Sequence, residues 1–206
     1  MNPRIVPAEQ LLAVYGWEIE HAHKVRDLAL ALFDQLQPLH QLAAAERDIL
    51  EAAALLHDIG WTVAGKKHHK HSAGLIRLNR DKLHGFSPVE IELIAMVARY
   101  HRKSEPRAGH EDYAAQPEQN RNIIQRLASL LRLADGLDRP HLQWVSELRC
   151  EVNDQHILIR VRASAEAGLH IEGASRKRGL FESVFARPVE FAVFGDQALS
   201  PLATSV

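Results

Sequence analysis

Imidazoles and carboxylates recur along this chain where helical runs end. His57 and Asp58 stand side by side in Leu55-Leu56-His57-Asp58-Ile59-Gly60, where an apolar helical run reaches a glycine. His21 precedes them, His69 and His71 follow, Tyr100-His101 comes later, and Ala134-Asp135 stands before Gly136. Imidazole nitrogen with carboxylate oxygen, and no sulfur, is a ligand set for Mn, Fe, Ni, Zn or Mg in hydrolytic or oxidative work rather than for structural zinc. Such groups ligate when deprotonated, as they are near neutral pH. Each member alone has an ordinary reading. A lone buried histidine is more often a hydrogen-bonded core residue, and Asp135 alone could close a turn. The joint order and local contexts point to a metal centre.

Helix ends must bring these groups together. Val25, Leu28, Ala29, Leu32, Phe33 and Leu36 follow helical spacing, with Pro38 marking the exit. Ile49, Ala52, Ala53 and Leu56 form a second stripe ending at His57. Ser72 to Asn79 reads as a short third helix. Ser87-Pro88-Val89-Glu90 is a helix start, with Ser87 as N-cap, and that helix runs to Tyr100. Residues 104–119 are polar, hold prolines and read as a loop. A fifth helix carries Ile123, Ile124, Leu127, Leu130, Leu131 and Ala134 on one face, and Pro140 closes the region. His21 lies near the start of the first long helix, and the other candidates end the second, fourth and fifth. A helical bundle can gather such ends in one cavity.

From about Val145 the period changes to two. Leu148, Cys150 and Val152 alternate with polar residues, as do Ile157, Ile159, Val161 and Ala163 after an Asn153-Asp154 turn. Ala174 to Phe185 looks helical, and Val189, Phe191 and Val193 look like another strand. The expected fold is mainly α: a helical domain over 1–143, then a small α+β unit of β-β-α-β order over 144–206.

With 206 residues and 46% apolar content the chain can build a real core. A formal net charge of -1 gives no argument for bulk nucleic-acid binding. Cys150 is the single cysteine, so an internal disulfide is excluded and a reducing cytoplasm is expected. The N-terminus lacks the apolar core of a signal peptide, and no apolar run is long enough for a membrane span. The β-rich tail offers edges that could pair into a homodimer or cover the site.

Gly65-Lys66-Lys67-His68-His69-Lys70-His71 could be a solvated loop or could hold phosphate beside the metals. Among cations adjacent in sequence to the candidate ligands, Lys67, Arg102 and Arg139 are the expected substrate contacts, with Arg139 the strongest. It follows Asp135 directly in Asp135-Gly136-Leu137-Asp138-Arg139.

The order H…HD…H…H…D resembles the HD superfamily of metal-dependent phosphohydrolases. The resemblance is closer still to the C-terminal HD domain of the exopolyphosphatase / pppGpp phosphohydrolase family. It is carried by Ala53 to Gly60, His69 to Ile76, Gly85-Phe86-Ser87, Arg99 to Lys103, Leu131 to Arg139 and Leu180-Phe181-Glu182. It covers nearly the whole chain but not the family's N-terminal actin-like domains, where polyphosphate is cleaved, so that activity does not carry over. A free-standing HD domain with its own chemistry is expected.

The resemblance implies further assignments. The family's opening H-x-x-x-V favours His21 over His23, and its H-x-x-x-G/A spacing before Ala73 favours His69 over His71. Asp58 would be the catalytic carboxylate bridging two divalent metals, with His21, His57 and Asp135 on one and His69 and His101 helping to hold the other. A water between them would lose a proton near neutral pH and attack phosphorus in line. A single-metal layout held by His21, His57, Asp58 and Asp135, with His69 and His101 on substrate phosphate, is the alternative enzyme. A regulatory module binding polyphosphate or a phosphorylated nucleotide is the alternative from another class.

Overall fold

The chain's computed structural model describes residues 2–163 and 167–194. Helices α1 (Val6–Tyr15), α2 (Ile19–Gln35), α3 (Gln37–His40) and α4 (Ala44–Leu56) come first. A 3₁₀ turn over Ile59–Thr62 follows, then α5 (His68–Leu78), α6 (Pro88–Arg99), α7 (Glu111–Ala114) and α8 (Glu118–Leu137). The remainder is β1 (Val145–Val152), β2 (Ile157–Ala163), α9 (Ala167–Ser175), α10 (Gly179–Phe185) and β3 (Val189–Val193). The protein is mainly helical with one small sheet, as its sequence predicts.

Helix α8 is the axis. From Leu127 to Leu137 every residue is buried, and α2, α4, α6, α9 and α10 pack around it. A helix buried on all faces must be apolar all round. The polar exceptions on α8, Ser129, Arg132 and Asp135, therefore need partners.

Local chemistry sets the helix ends. The Ser87 hydroxyl accepts from the Glu90 N–H at 3.3 Å, and the Glu90 carboxylate accepts from the Ser87 N–H at 2.7 Å. This is the expected capping box, and it starts α6. Pro38 does not simply end α2. It stands at the first turn of α3, where its missing N–H costs nothing. Three features lie outside the sequence reading: α1, the one-turn α7 inside the polar 104–119 stretch, and the start of α5 at His68 rather than Ser72.

The sheet has order β1-β2-β3, with β1 antiparallel to β2 and β2 parallel to β3. Ile157, Ile159 and Val161 turn inward. Two helices, α9 and α10, make the crossover where one was expected. The Gln35 side chain on α2 ties β1 to the bundle, donating to the Leu148 carbonyl and accepting from the Cys150 N–H, both at 2.9 Å. Cys150 sits half-buried in β1 with its thiol pushed up to about 12 by burial, which suits packing and not nucleophilic attack. Among the described residues no helix is long and apolar enough to cross a membrane.

Candidate metal centre

Two helix C-termini present histidine in the same way. The last carbonyls of a helix have no partner within it. The His57 Nδ1–H donates back to the Ala54 carbonyl at 2.7 Å, and the His101 Nδ1–H to the Ala98 carbonyl at 2.7 Å. A carbonyl can only accept, so Nδ1 carries the proton and Nε2 is left as a bare lone pair. His68, at the start of α5, repeats the pattern on the Gly65 carbonyl at 3.1 Å. His21 has no such carbonyl at the start of α2; its Nδ1–H donates instead to Asp138 Oδ2 at 2.8 Å.

The Nε2 atoms of all four imidazoles point at two carboxylates. His57 Nε2 lies 3.6 Å from Asp58 Oδ2, while His68 and His101 Nε2 lie 3.1 Å and 3.5 Å from Asp58 Oδ1. Asp58 thus shows one oxygen to each side. His21 Nε2 lies 3.6 Å from Asp135 Oδ1. The Nε2 atoms of His21 and His57 are buried without a hydrogen-bond partner. His40 is the internal contrast: it is equally buried, yet its Nε2–H donates to the Phe33 carbonyl and its Nδ1 accepts from the Leu42 N–H. His40 is a satisfied core histidine, and His21 and His57 are not.

Lone pairs aimed at carboxylate lone pairs need a cation between them. Donor atoms of His21, His57 and Asp135 lie within 4.8 Å of one another, and so do those of His57, Asp58 and His101. The donors are nitrogen and oxygen only, each imidazole is oriented by a second partner, and carboxylate flanks every open nitrogen. That is how proteins hold divalent metals, and the residues fit such ions.

Protonation agrees. Burial pushes His57 down and His101 well below the usual imidazole value, so both are neutral. Burial opposes ionisation of Asp58, yet among the surrounding imidazoles its carboxyl lies below the usual range. Burial likewise opposes Asp135, but the Lys177 ammonium and His21 hold it well below that range. Burial would depress His21, yet the Asp135 carboxylate 3.6 Å away and the hydrogen bond to Asp138 outweigh it and raise it to about 9. In the metal-free chain His21 thus keeps a proton that a metal must displace.

Close backbone approaches position two of these groups. A Cβ on Gly60 would lie 2.2 Å from the His68 carbonyl oxygen and 2.4 Å from the Ser72 nitrogen. Only glycine lets α5 settle on the His57-Asp58 turn, with the Gly60 N–H donating to Ser72 Oγ at 2.9 Å. At the other end, a Cβ on Gly136 would lie 2.6 Å from Ala174 Cα, and one on Gly173 would lie 2.2 Å from the Gly136 carbonyl oxygen. There α8 and α9 touch backbone to backbone. Buried Arg132 pins the turn after α6, donating to the Tyr100 carbonyl at 3.0 Å and to the Lys103 carbonyl at 3.2 Å.

A cavity of ≈ 380 Å³ opens over Asp58, His101 and Asp135, lined also by Arg102, Lys103, Arg139, Arg176 and Lys177. Anionic ligands and a strongly basic wall make a place for a cation and a phosphate together.

The family model for Ppx/GppA phosphatase, domain III, matches residues 4–168. The chain belongs to that family. Over 91 residues it is 38% identical to a guanosine-5'-triphosphate,3'-diphosphate pyrophosphatase of Aeromonas salmonicida, a stretch covering 44% of this chain and 18% of that protein. Over 133 residues it is 32% identical to an enzyme of the same name from Aeromonas hydrophila, covering 62% of this chain and 25% of that one. The chain matches a quarter or less of the length of these curated relatives.

In this Ppx/GppA domain III chain the fold brings His21, His57, Asp58, His101 and Asp135 to one place. His69 differs from its sequence expectation. It is half-buried, with its ring 6.4 Å from that of His101, and its buried basic surroundings push it down to about 4. The imidazole on Asp58 belongs to His68, because α5 begins there and its first turn rests on Gly60. His71, also half-buried, lies further along the same helix. The His23 Nε2 lies 2.8 Å from a Glu9 carboxylate oxygen. Arg139 and Arg102 line the cavity, and the Arg102 guanidinium also donates to His68 Nε2 at 3.1 Å. Lys67 lines a neighbouring cavity of ≈ 480 Å³ with Lys66, Lys70, Arg102 and Lys103.

Sequence reasoning missed four residues of the site: His68, Asp138, His141 and Lys177. Asp138 had a signal, since it follows Asp135 by three and shares its helical face. His141 stacks on His21 with centroids 3.7 Å apart, from a left-handed backbone position that no spacing rule shows.

Proposed function

We propose that this chain is a metal-dependent phosphohydrolase of the HD type, acting on a phosphate ester or nucleotide-class substrate. One observation carries the reading: four imidazoles, each held through Nδ1, turn their Nε2 atoms onto Asp58 and Asp135 beneath a cationic cavity. His21, His57 and Asp135 would hold one divalent ion, His68 and His101 a second, and Asp58 has an oxygen facing each. Such ions supply Lewis acidity toward a phosphoryl oxygen and bring the pKa of water near neutrality.

The chain's own groups do the rest. Asp138 and the helix-end carbonyls keep the imidazoles in the ligating tautomer. Arg102 and Arg139 are placed to take phosphate oxygens and to stabilise charge developing on them. The buried floor of the cavity limits water. The relatives' names support a phosphorylated nucleotide as substrate class, and a reducing cytoplasm suits a chain with a single, half-buried thiol. The test is turnover of a generic phosphodiester and of nucleoside polyphosphates by protein loaded with Mn²⁺. Turnover lost in Asp58→Ala supports the reading, and full activity in a folded Asp58→Ala variant contradicts it.

The second cavity favours one other reading. Lys66, Lys67 and Lys70 surround it without the carboxylates of the centre, as a site that binds polyphosphate or a phosphorylated nucleotide for regulation would require. Binding of such an anion without any metal-dependent turnover would select that reading.

A further inference from the structure

Asp135 is a site carboxylate already answered by a fixed cation. Lys177 Nζ forms an ion pair with Asp135 Oδ2, across 42 positions of sequence. The lysine comes from the turn between α9 and α10, and the backbone contact of Gly136 with Gly173 is what brings that turn to the end of α8. Among the described residues, the ion-pair partners of Asp58 are by contrast imidazoles.

We propose that Lys177 is an exchangeable counter-ion. It neutralises Asp135 in the metal-free protein, yields that carboxylate to a divalent metal, and then serves as a positioning cation for phosphate in the same cavity. The proposal rests on the metal-centre reading above. A buried carboxylate without a partner is costly, and Lys177 answers the oxygen of Asp135 that His21 does not face. A divalent ion held by Asp135 and His21 repels an ammonium beside it. The lysine can respond, because its four-carbon stem is flexible and its side chain keeps 20% exposure at the cavity mouth. Arg139 and Arg176 line the cavity around it, so an ammonium leaving Asp135 joins an anion-binding wall. Metal loading and phosphate binding are thereby coupled: the ion that fills one end of the centre releases a cation for substrate.

The experiment compares wild type, Lys177→Met and Lys177→Arg for Mn²⁺ affinity, by competition against a chelator, and for inorganic phosphate binding to the Mn²⁺-loaded proteins. Circular dichroism melts without metal confirm folding. Losing a competing buried cation should tighten Mn²⁺ binding to Lys177→Met by about tenfold or more, while its phosphate affinity falls by a similar factor. Lys177→Arg, which keeps the charge, should stay near wild type in Mn²⁺ affinity. Equal Mn²⁺ affinity in wild type and folded Lys177→Met, or weaker binding in the variant, overturns the counter-ion role and leaves the metal centre standing. Absence of Mn²⁺ binding in all three proteins overturns both.

Discussion

Asp138 Oδ2 accepts a 2.8 Å hydrogen bond from His21 Nδ1 with both groups buried, and so decides which nitrogen of His21 faces the centre. Its other oxygen accepts from the Gln143 N–H at 2.8 Å, which fixes the carboxylate in turn. Asp138 touches no bare Nε2, so its part is orientation. Asp138→Asn should keep the fold and weaken metal binding at the His21 end by about 10- to 100-fold. Metal titration against a chelator measures this; unchanged affinity would mean that His21 is oriented by other means.

His21 also sets a pH dependence. Its folded value is raised to about 9, above the ordinary imidazole value. In metal-free protein the stabilisation is therefore complete below about pH 6.5 and lost as pH rises through about 9, a swing of up to about 3 kcal/mol. Metal competes for the same Nε2, so metal affinity should rise over that interval while metal-free stability falls. Chemical denaturation in EDTA between pH 6 and 10 tests the first half. A flat profile for wild type would contradict it, and His21→Gln should give one.

The choice between His68 and His69 is open to direct test. His68→Gln should remove the imidazole on Asp58 Oδ1 and with it one of two bound metals, dropping turnover by at least about 100-fold. His69→Gln should keep full metal content. The reverse result would restore the spacing rule over the geometry.

Gly60→Ala should act at a distance through packing. Its methyl group would press on the His68 carbonyl and the Ser72 nitrogen, which are backbone atoms of α5 and cannot swing aside. Overpacking of this kind costs about 1–3 kcal/mol. Because α5 carries His68, the variant should lose metal as well as melting temperature. A stable variant with full metal content would show that α5 has slack.

These cases also show what sequence can reveal. His57, His101 and Asp135 were readable because each stands where an apolar period stops, and helix ends converge. The Ser87 cap and the inward residues of β2 were readable for the same local reasons. His68 was not, since its assignment depends on where α5 begins. With Lys67 in a left-handed conformation at φ 63° the helix starts four residues before Ser72, and the favoured spacing then counts from the wrong histidine. Lys177 was beyond any local pattern. It reaches Asp135 only because two glycines, Gly136 and Gly173, let separate helices meet backbone to backbone.

The central claim is that these side chains hold divalent metal. Elemental analysis of protein purified without chelators and without a histidine tag tests it most directly. The account predicts about two equivalents of a divalent transition metal per chain, as two-metal hydrolytic sites hold, falling to near none in Asp58→Ala. Wild-type protein that holds no metal, even after incubation with Mn²⁺, Fe²⁺ and Ni²⁺, would contradict it.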